Sequence, residues 1–329
     1  MGQHFLLSAA ARTLSVAKVA RMGDEEAWNL FRAIRWSETD GEPYCPGCGS
    51  LATYRHKSRK IFSCQACGRQ FSVTSGTIFA SRKMAIRDLL LAIAIFVNGV
   101  KGHSALQLSR DLDCQYKTAF VLAHKLREAL GAETKERQAS GTVEIDGAYF
   151  GGYVKPSNYV ENRRDRRLAR NQTGKRQVVA VMRERGGRTL PFVVPKESLS
   201  VPIMEKRIRL DSIIHADEAY GWDPLHLFYE VKRINHQEAY SHDGASTNQA
   251  ESFFSRIRRA EIGIHHHIAG PYLESYALEM AWREDTRQIN NGEQFLLVIL
   301  ASLSHPVSRT WKGYWERRKV SPPSQEAPA

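Results

Sequence analysis

Four of the five cysteines stand in two close pairs, and their spacing constrains the fold more than any other feature of the sequence. Cys45, Cys48, Cys64 and Cys67 follow the pattern C-x2-C-x15-C-x2-C. Each pair lies on a tight turn that can direct two sulfurs at one tetrahedral ion, which is typical of a zinc site. The pattern therefore predicts a zinc ribbon with one structural Zn²⁺, since four thiolates leave no open position for catalysis. Two redox or disulfide pairs are the alternative, and such pairs are infrequent in cytosolic chains.

The charge of the chain indicates the class of its partner. The 329 residues have a formal net charge of +12, and a surplus of this size favours a polyanion, whose phosphates release counterions to Lys and Arg. A basic ribosome-associated or membrane-surface protein would fit the charge equally well. The longest apolar runs, Leu89–Val97 and Phe295–Leu300, are shorter than the roughly 20 residues of a membrane span. We therefore expect no membrane association and a cytoplasmic location.

A helical segment follows the cysteines. Helices are predicted over Met84–Val97, Ser104–Leu112 and Tyr116–Leu130, and the last two are separated by a short turn. Two helices joined in this way resemble a helix-turn-helix, whose second helix enters the major groove with its N-terminal residues foremost. Those residues are Gln115, Lys117 and Thr118. An ordinary helical linker is the alternative. Residues 131–140 are polar, and we expect them to be loose and to form a domain boundary.

Beyond this boundary the periodicity becomes that of strands. Predicted strands span Thr142–Phe150, Gln177–Met182, Thr189–Val194 and 212–217, with a hairpin turn at residues 186–187 and a helical stretch over Pro202–Leu210. Asp146 lies among apolar residues of the first strand, and Asp217 ends the last one. A lone strand aspartate is usually a turn or capping residue, so each of these positions says little by itself.

Residues 246–262 form a helix with two distinct faces. At 100° per residue, Ala250, Phe253, Phe254, Ile257 and Ala260 make one apolar stripe,. A different face carries Asn248, Glu251, Ser255 and Arg258. This polar face is either solvated or functional. Together with Asp146 and Asp217, Glu251 gives the arrangement of a two-metal phosphoryl-transfer site, in which three carboxylates hold two Mg²⁺ (or Mn²⁺) ions about 4 Å apart. Arg258 would then hold a DNA phosphate or neutralise Glu251.

Several motifs occur in one order along the chain, covering roughly residues 25–300. They are Arg35-Trp36, Cys45-Pro-Gly-Cys-Gly, Ser104-Ala-Leu-Gln-Leu-Ser-Arg-Asp-Leu, Tyr116-Lys-Thr-Ala, Glu144-Ile-Asp-Gly-Ala-Tyr-Phe-Gly-Gly, Asp217-Glu-Ala-Tyr, Thr247-Asn-Gln-Ala-Glu-Ser-Phe-Phe-Ser, Gly263 to His267, Tyr272-Leu-Glu-Ser-Tyr and Glu279-Met-Ala-Trp-Arg. With these motifs the chain resembles the insertion-sequence transposases that combine a zinc ribbon with a DDE catalytic domain, the ISXO-like group.

The resemblance implies an α/β multi-domain chain with an RNase H-like catalytic domain, a mixed sheet flanked by helices. It also implies divalent-metal-dependent strand transfer on double-stranded DNA, at the terminal inverted repeats of a mobile element and at its target. The family is described with an asparagine as its third catalytic residue, here Asn248, but we rank Glu251 first because a carboxylate binds Mg²⁺ better than an amide. Glu284-Asp285 departs from the aromatic-asparagine pair that usually follows Trp282-Arg283, and Arg258 stands where lysine is common,.

A basic segment follows Asp146. Residues 152–188 are rich in Lys and Arg, and the candidate contacts with the DNA backbone are Arg163, Arg164, Arg166, Arg167, Lys175 and Arg176,. A disordered, solvated insertion is the alternative. One of His265–His267 could contact DNA or orient Glu251. From its composition, the tail after residue 320 is expected to be disordered.

These predictions combine into five segments. Residues 1–40 form a helical segment, 41–78 the ribbon, 79–132 the helix-turn-helix, 133–304 the catalytic domain and 305–329 a basic, partly disordered tail. The leading hypothesis is a nucleoid-associated transposase that acts as at least a dimer, since two DNA ends must be paired. The alternatives are a catalytically inactive or domesticated DNA-binding regulator and a stand-alone RNase H-like nuclease.

Overall fold

The computed structural model of the chain describes residues 5–57, 59–152, 156–165, 168, 171, 174–235, 241 and 244–317. The chain divides into two units. The first comprises Met1–Gly99, His103–Ala129 and Ile289–Ala329, and the second comprises Val100–Gly102 and Leu130–Gln288. No helix of the described residues has the length and the apolar character that a membrane crossing requires.

The helices and strands are numbered in chain order. They are α1 (Val16–Ala20), α2 (Asp24–Arg35), β1 (Thr53–Arg55), β2 (Phe62–Cys64), β3 (Gln70–Phe71), α3 (Ile86–Asn98), α4 (Ala105–Asp111), α5 (Tyr116–Glu136), β4 (Thr142–Gly151), β5 (Arg176–Glu184), β6 (Thr189–Val194), α6 (Val201–Arg207), β7 (Ile213–Asp217), β8 (Glu230–Ile234), α7 (Asn248–Ala260), α8 (Leu273–Asp285), α9 (Asn291–Ser304) and α10 (Tyr314–Arg317).

The first unit holds a small three-stranded sheet against an aromatic core. The strands run antiparallel in the order β1-β2-β3. Phe62 stacks on Trp28 of α2 with ring centroids 5.9 Å apart, and the buried ring of Trp36 meets Phe62 and Phe71 edge-on. Such a short sheet buries little apolar surface, so its aromatic contacts and the cysteine cluster must supply much of its stability.

Helices α4 and α5 lie close to the predicted positions, with one correction. α5 continues to Glu136, so the prediction that residues 131–140 are loose is wrong for residues 131–136. Gly131 is tolerated within the helix because it packs closely on Leu278, and a Cβ at residue 131 would lie 2.6 Å from Leu278 Cδ1. Residues 132–136 are mostly good helix formers, which carry the helix past the glycine.

The second unit is built on a mixed five-stranded sheet in the order β6-β5-β4-β7-β8. β4 and β5 pair antiparallel, as do β5 and β6, whereas β4 and β7 pair parallel, as do β7 and β8. Its two faces carry separate apolar clusters. One includes Val143, Ile145 and Ile214, and the other packs Ala148 and Phe150 against α7 and α8. The predicted mixed sheet flanked by helices is therefore confirmed.

Candidate active site

Asp146 and Asp217 project from neighbouring parallel strands. β4 and β7 pair from Thr142 with Ile213 to Glu144 with His215, and the same register carried two residues further sets residue 146 beside residue 217. Side chains alternate along a strand, and Val143, Ile145, Ile214 and Ala216 all belong to the opposite apolar cluster. Asp146 and Asp217 therefore share the sheet face that α7 covers.

Helix α7 presents the stripe that the sequence predicts. Ala250, Phe253, Phe254, Ile257 and Ala260 are all buried, and they pack on the sheet face that carries Asp146. This packing fixes which side of the helix turns towards the strands. Because the polar residues occupy the opposite and flanking arcs, they line the cavities at the edges of the helix.

Glu251 and Asn248 line different cavities. A cavity of about 750 Å³ is lined by Asp146 and Glu251, together with Lys101 and Arg258. Asn248 lines a separate cavity of about 490 Å³, whose other walls include Glu144 and Arg185. The structure therefore brings Glu251, and not Asn248, into the cavity of Asp146, although both residues begin the same helix.

The electrostatics around Asp146 are those of crowded carboxylates. The pKa of Asp146 is raised to about 7, mainly by burial and further by the charges of Asp217, Glu197 and Glu251, while a hydrogen bond from the Gly147 N–H at 2.7 Å opposes the rise. The Asp146 carboxyl is therefore only partly ionised near neutral pH,. This arrangement is costly for the metal-free protein and is typical of functional sites.

Asp217 is held in place by its own loop. Its Oδ1 accepts hydrogen bonds from Trp222 Nε1 at 2.8 Å and from the Ala219 N–H at 3.2 Å. Arg233 of β8 donates to the backbone oxygens of Asp217 and Ala219 at 2.7 and 3.1 Å. The buried Trp222 ring thus fixes the orientation of the Asp217 carboxylate through Oδ1.

Glu197 is a fourth carboxylate of this site, and sequence reasoning missed it. It begins the short helical turn Glu197–Leu199 after β6. A Cβ at Gly147 would lie 2.4 Å from Glu197 Oε1, so the carboxylate packs against the glycine that follows Asp146, and its charge contributes to the raised pKa of Asp146. Burial, followed by the charge of Asp217, raises the pKa of Glu197. No local sequence pattern marks Glu197. The one signal in the sequence is Gly147, where the absence of a side chain leaves room for another group.

The predicted DNA contacts fall into three groups. Lys175 and Arg176 line a cavity of about 960 Å³ in the second unit, together with His266 and His267. Arg163 and Arg164 are exposed. Arg166, Arg167 and the tail after residue 320 lie outside the described residues. In the first unit, Gln115, Lys117 and Thr118 are exposed at the start of α5, although Lys117 also rests on the Trp315 ring, 5.4 Å from its centroid.

The four cysteines form one cluster. Their sulfurs all lie within 4.8 Å of one another, with Cys45 to Cys67 at 3.6 Å and Cys48 to Cys64 at 3.5 Å. The edge of a tetrahedron with Zn–S bonds of about 2.3 Å is about 3.8 Å. The spacing and the all-thiolate donor set therefore fit one structural Zn²⁺.

Comparisons with known proteins agree with this geometry. Residues 138–285 match the family model of the ISXO2-like transposase domain, and residues 22–70 match that of the transposase zinc-ribbon domain. The chain is also 26% identical over 295 residues to an uncharacterized protein in transposable element ISH50 of Halobacterium salinarum. That alignment covers 85% of this chain and 96% of the relative.

Proposed function

The chain belongs to the ISXO2-like transposases that carry an N-terminal zinc ribbon, and we propose that it cuts and joins DNA at the terminal inverted repeats of an insertion sequence. The observation that carries the proposal is the group of carboxylates around Asp146. Asp146 and Asp217 come from adjacent strands, and Glu251 shares a cavity with Asp146. Burial and the neighbouring carboxylates raise the pKa of Asp146, and a bound cation would offset both effects,.

The donor set fits divalent metal ions that prefer oxygen ligands. Asp146, Asp217 and Glu251 would hold two Mg²⁺ or Mn²⁺ ions, since hard cations favour carboxylate oxygens. When bound, the ions supply the Lewis acidity that activates an attacking oxygen and stabilises a leaving one. Asn248 remains the weaker candidate for the third ligand because it lines the other cavity. We propose that the domain is RNase H-like, which the antiparallel β6-β5-β4 meander and the parallel β4-β7-β8 set support.

The cationic wall of the cavity suits a DNA phosphate. Lys101, Arg258 and Arg259 line it together with Asp146 and Glu251, and a guanidinium can hold two phosphate oxygens at once. In this proposal Arg258 positions the scissile phosphate against the carboxylates. A water molecule attacks that phosphate and releases a 3′-hydroxyl, which then attacks a target phosphodiester and displaces its 3′-oxygen. The second step exchanges one phosphodiester for another, so it needs no energy-supplying cofactor.

Glu197 adds a fourth carboxylate to the proposed metal site. Its charge raises the pKa of Asp146, and the charge of Asp217 raises its own pKa, which supports a role in holding a cation near these carboxylates. We expect Glu197→Gln to weaken the affinity for Mn²⁺ by about tenfold and to leave the fold intact, because the side chain is only partly buried. Titration of Mn²⁺ followed by electron paramagnetic resonance measures the effect. An unchanged affinity would remove Glu197 from the site.

DNA binding is proposed for the basic positions in both units. Lys175 and Arg176, with Arg163 and Arg164, would follow the backbone near the active site, and the same role is proposed for Arg166 and Arg167. The start of α5, with Gln115, Lys117 and Thr118 exposed, would read the inverted repeat as the second helix of a helix-turn-helix. Two copies of the chain would pair the two ends of the element.

Strand transfer with labelled inverted-repeat ends tests the function. The wild-type chain with Mg²⁺ is expected to cleave these ends and join them to target DNA, and Asp146→Asn is expected to do neither. Asp211→Asn is the matched control, because Asp211 is an exposed aspartate of the same unit. Binding without cleavage by the wild-type chain would favour a DNA-binding regulator, and cleavage without joining would favour a stand-alone nuclease.

A further inference from the structure

Glu144 is a buried carboxylate that the proposed chemistry does not use. It lies on β4 two residues before Asp146, on the same face of the sheet, and its side chain is 1% exposed. Its Oε1 accepts a hydrogen bond from Arg185 Nε at 2.9 Å. Its Oε2 accepts from the backbone N–H groups of Gln249 and Ala250 at 2.8 and 3.1 Å. Both oxygens of this buried charge are therefore satisfied, as burial of a charge requires.

The two N–H groups belong to the first turn of α7, which lacks acceptors within the helix. Glu144 thus acts as the cap of a helix that lies 104 to 116 residues further along the chain. A negative charge at this end is also favoured by the helix dipole. Arg185 extends the contact, since it donates to the carbonyl oxygens of Gly244 and Ser246 at 3.4 and 3.2 Å. The segment before the helix and its first turn are therefore held by the same ion pair.

A second strand holds the same segment. His215 of β7, two residues before Asp217, accepts a hydrogen bond from the Ser246 N–H through Nδ1 at 3.2 Å. β4 and β7 therefore each contact the chain at the start of α7. The contacting residue, Glu144 or His215, lies two positions before the candidate aspartate of its strand and on the same face of the sheet. Glu251 comes directly after the two capped residues, Gln249 and Ala250. The distance between Glu251 and Asp146 is consequently set by a short path of rigid contacts.

We propose that Glu144 and Arg185 form a positioning pair that fixes Glu251 relative to Asp146. The inference rests on the proposed function, in that Glu251 is taken to be the third carboxylate ligand. The pair touches neither the substrate nor a metal ion in this proposal. It acts by holding the N-terminus of α7 on β4, so that the metal site is preformed before the ions arrive.

The chemistry of the pair explains why residue 144 needs to be a carboxylate. Both of its neighbours, the helix N–H groups and the Arg185 guanidinium, are donors. A glutamine has the same shape but offers one acceptor oxygen and one NH₂ group. In Glu144→Gln the NH₂ group must therefore face one set of donors, and the helix cap or the arginine loses its partner.

The test compares Glu144→Gln with Asp285→Asn in the full chain. Asp285 is an equally suitable buried carboxylate of the same unit, with 8% of its side chain exposed, and it binds Arg183 and Thr189 instead of α7. Both variants are expected to lower the melting temperature. Only Glu144→Gln is expected to weaken the affinity for Mn²⁺, by about tenfold or more, and to speed amide exchange at residues 249–251 by a similar factor. Equal weakening by both variants, or wild-type affinity in Glu144→Gln, would overturn the proposal.

Arg185→Gln provides a second variant in case Glu144→Gln does not fold. Arg185 is 32% exposed, a glutamine at this position keeps an NH₂ donor for Glu144, and the Glu144 carboxylate retains the two N–H groups of α7. The variant is expected to speed exchange at residues 249–251 and to weaken Mn²⁺ binding in the same sense, and unchanged exchange would contradict the pairing. If the wild-type chain bound no Mn²⁺, the proposed function would fail, whereas the exchange rates would still decide whether the pair holds the helix.

Discussion

Replacing Asp146 with asparagine is expected to stabilise the metal-free protein while it abolishes activity. Asparagine keeps the size of the side chain and removes the charge that burial, Asp217, Glu197 and Glu251 all oppose. Replacing a residue that is kept for packing lowers the stability of the protein. Replacing a residue that is kept for function at the expense of the fold raises it. The sign of the change therefore separates the two roles of Asp146.

The size of the gain follows from the shift in pKa. The pKa of Asp146 rises from 3.8 to about 7 on folding, and each unit corresponds to about 1.4 kcal/mol. The folded chain binds this proton more tightly than the unfolded chain does, so the wild-type protein loses stability as the pH rises from about 4 to about 7. The loss reaches about 4 kcal/mol and is constant at higher pH. The asparagine variant lacks it, and its advantage should grow by about 2 kcal/mol between pH 5.5 and 8.

Native-state hydrogen exchange in urea measures this difference in the second unit alone. Amides of β4 and β5 report the opening of the sheet, and metal-free buffer without a chelator leaves the zinc ribbon intact. Asp211→Asn serves again as the exposed control, and its stability should follow that of the wild-type chain at every pH. The reasoning is refuted if Asp146→Asn is less stable than the wild-type chain at pH 8, or if its advantage does not change with pH. Addition of Mn²⁺ should reverse the order, because only the wild-type site binds the ion.

Three further outcomes are expected. Glu251→Gln should lose cleavage with DNA affinity retained, whereas Asn248→Ala should keep most of its activity in the same gel assay, and the reverse result would make Asn248 the third ligand. Cys64→Ser should release the zinc and unfold the ribbon. Mass spectrometry should show the loss of the metal, and the near-ultraviolet circular dichroism signal should decrease. Retention of the metal would contradict the four-thiolate site. Replacing Lys175 and Arg176 with alanine should weaken the binding of all DNA sequences alike. The slope of log affinity against log salt concentration should fall by the equivalent of about two phosphate contacts. A loss of affinity for one sequence only would contradict a role in binding the DNA backbone.

The sequence predicts those parts of the fold whose cause is local. The cysteine spacing identifies the ribbon because each pair is defined by its own turn. The stripe from Ala250 to Ala260 identifies the buried face of α7 because its apolar residues recur at the spacing of a helix,. β4 and β6 were likewise predicted within one residue because their apolar runs are bounded by glycine and polar turns.

Other parts depend on contacts between distant residues, and no local pattern reveals them. β8 was not predicted, because Glu-Val-Lys-Arg-Ile is a charged edge strand that only its pairing with β7 defines. Glu197 packs against Gly147, which is 50 positions away in the chain. The role of Glu144 is not visible in its own motif, since the helix that it caps begins more than a hundred residues later.

The positions of bound ions test the central claim most directly. Crystals of the wild-type chain soaked in Mn²⁺ give anomalous scattering from each bound ion. We expect peaks between the carboxylates of Asp146 and Asp217, with Glu251 within coordinating distance of one of them and Asn248 beyond it. No peak beside Asp146, at Mn²⁺ concentrations that support DNA cleavage, would contradict the assignment of these carboxylates as the catalytic centre.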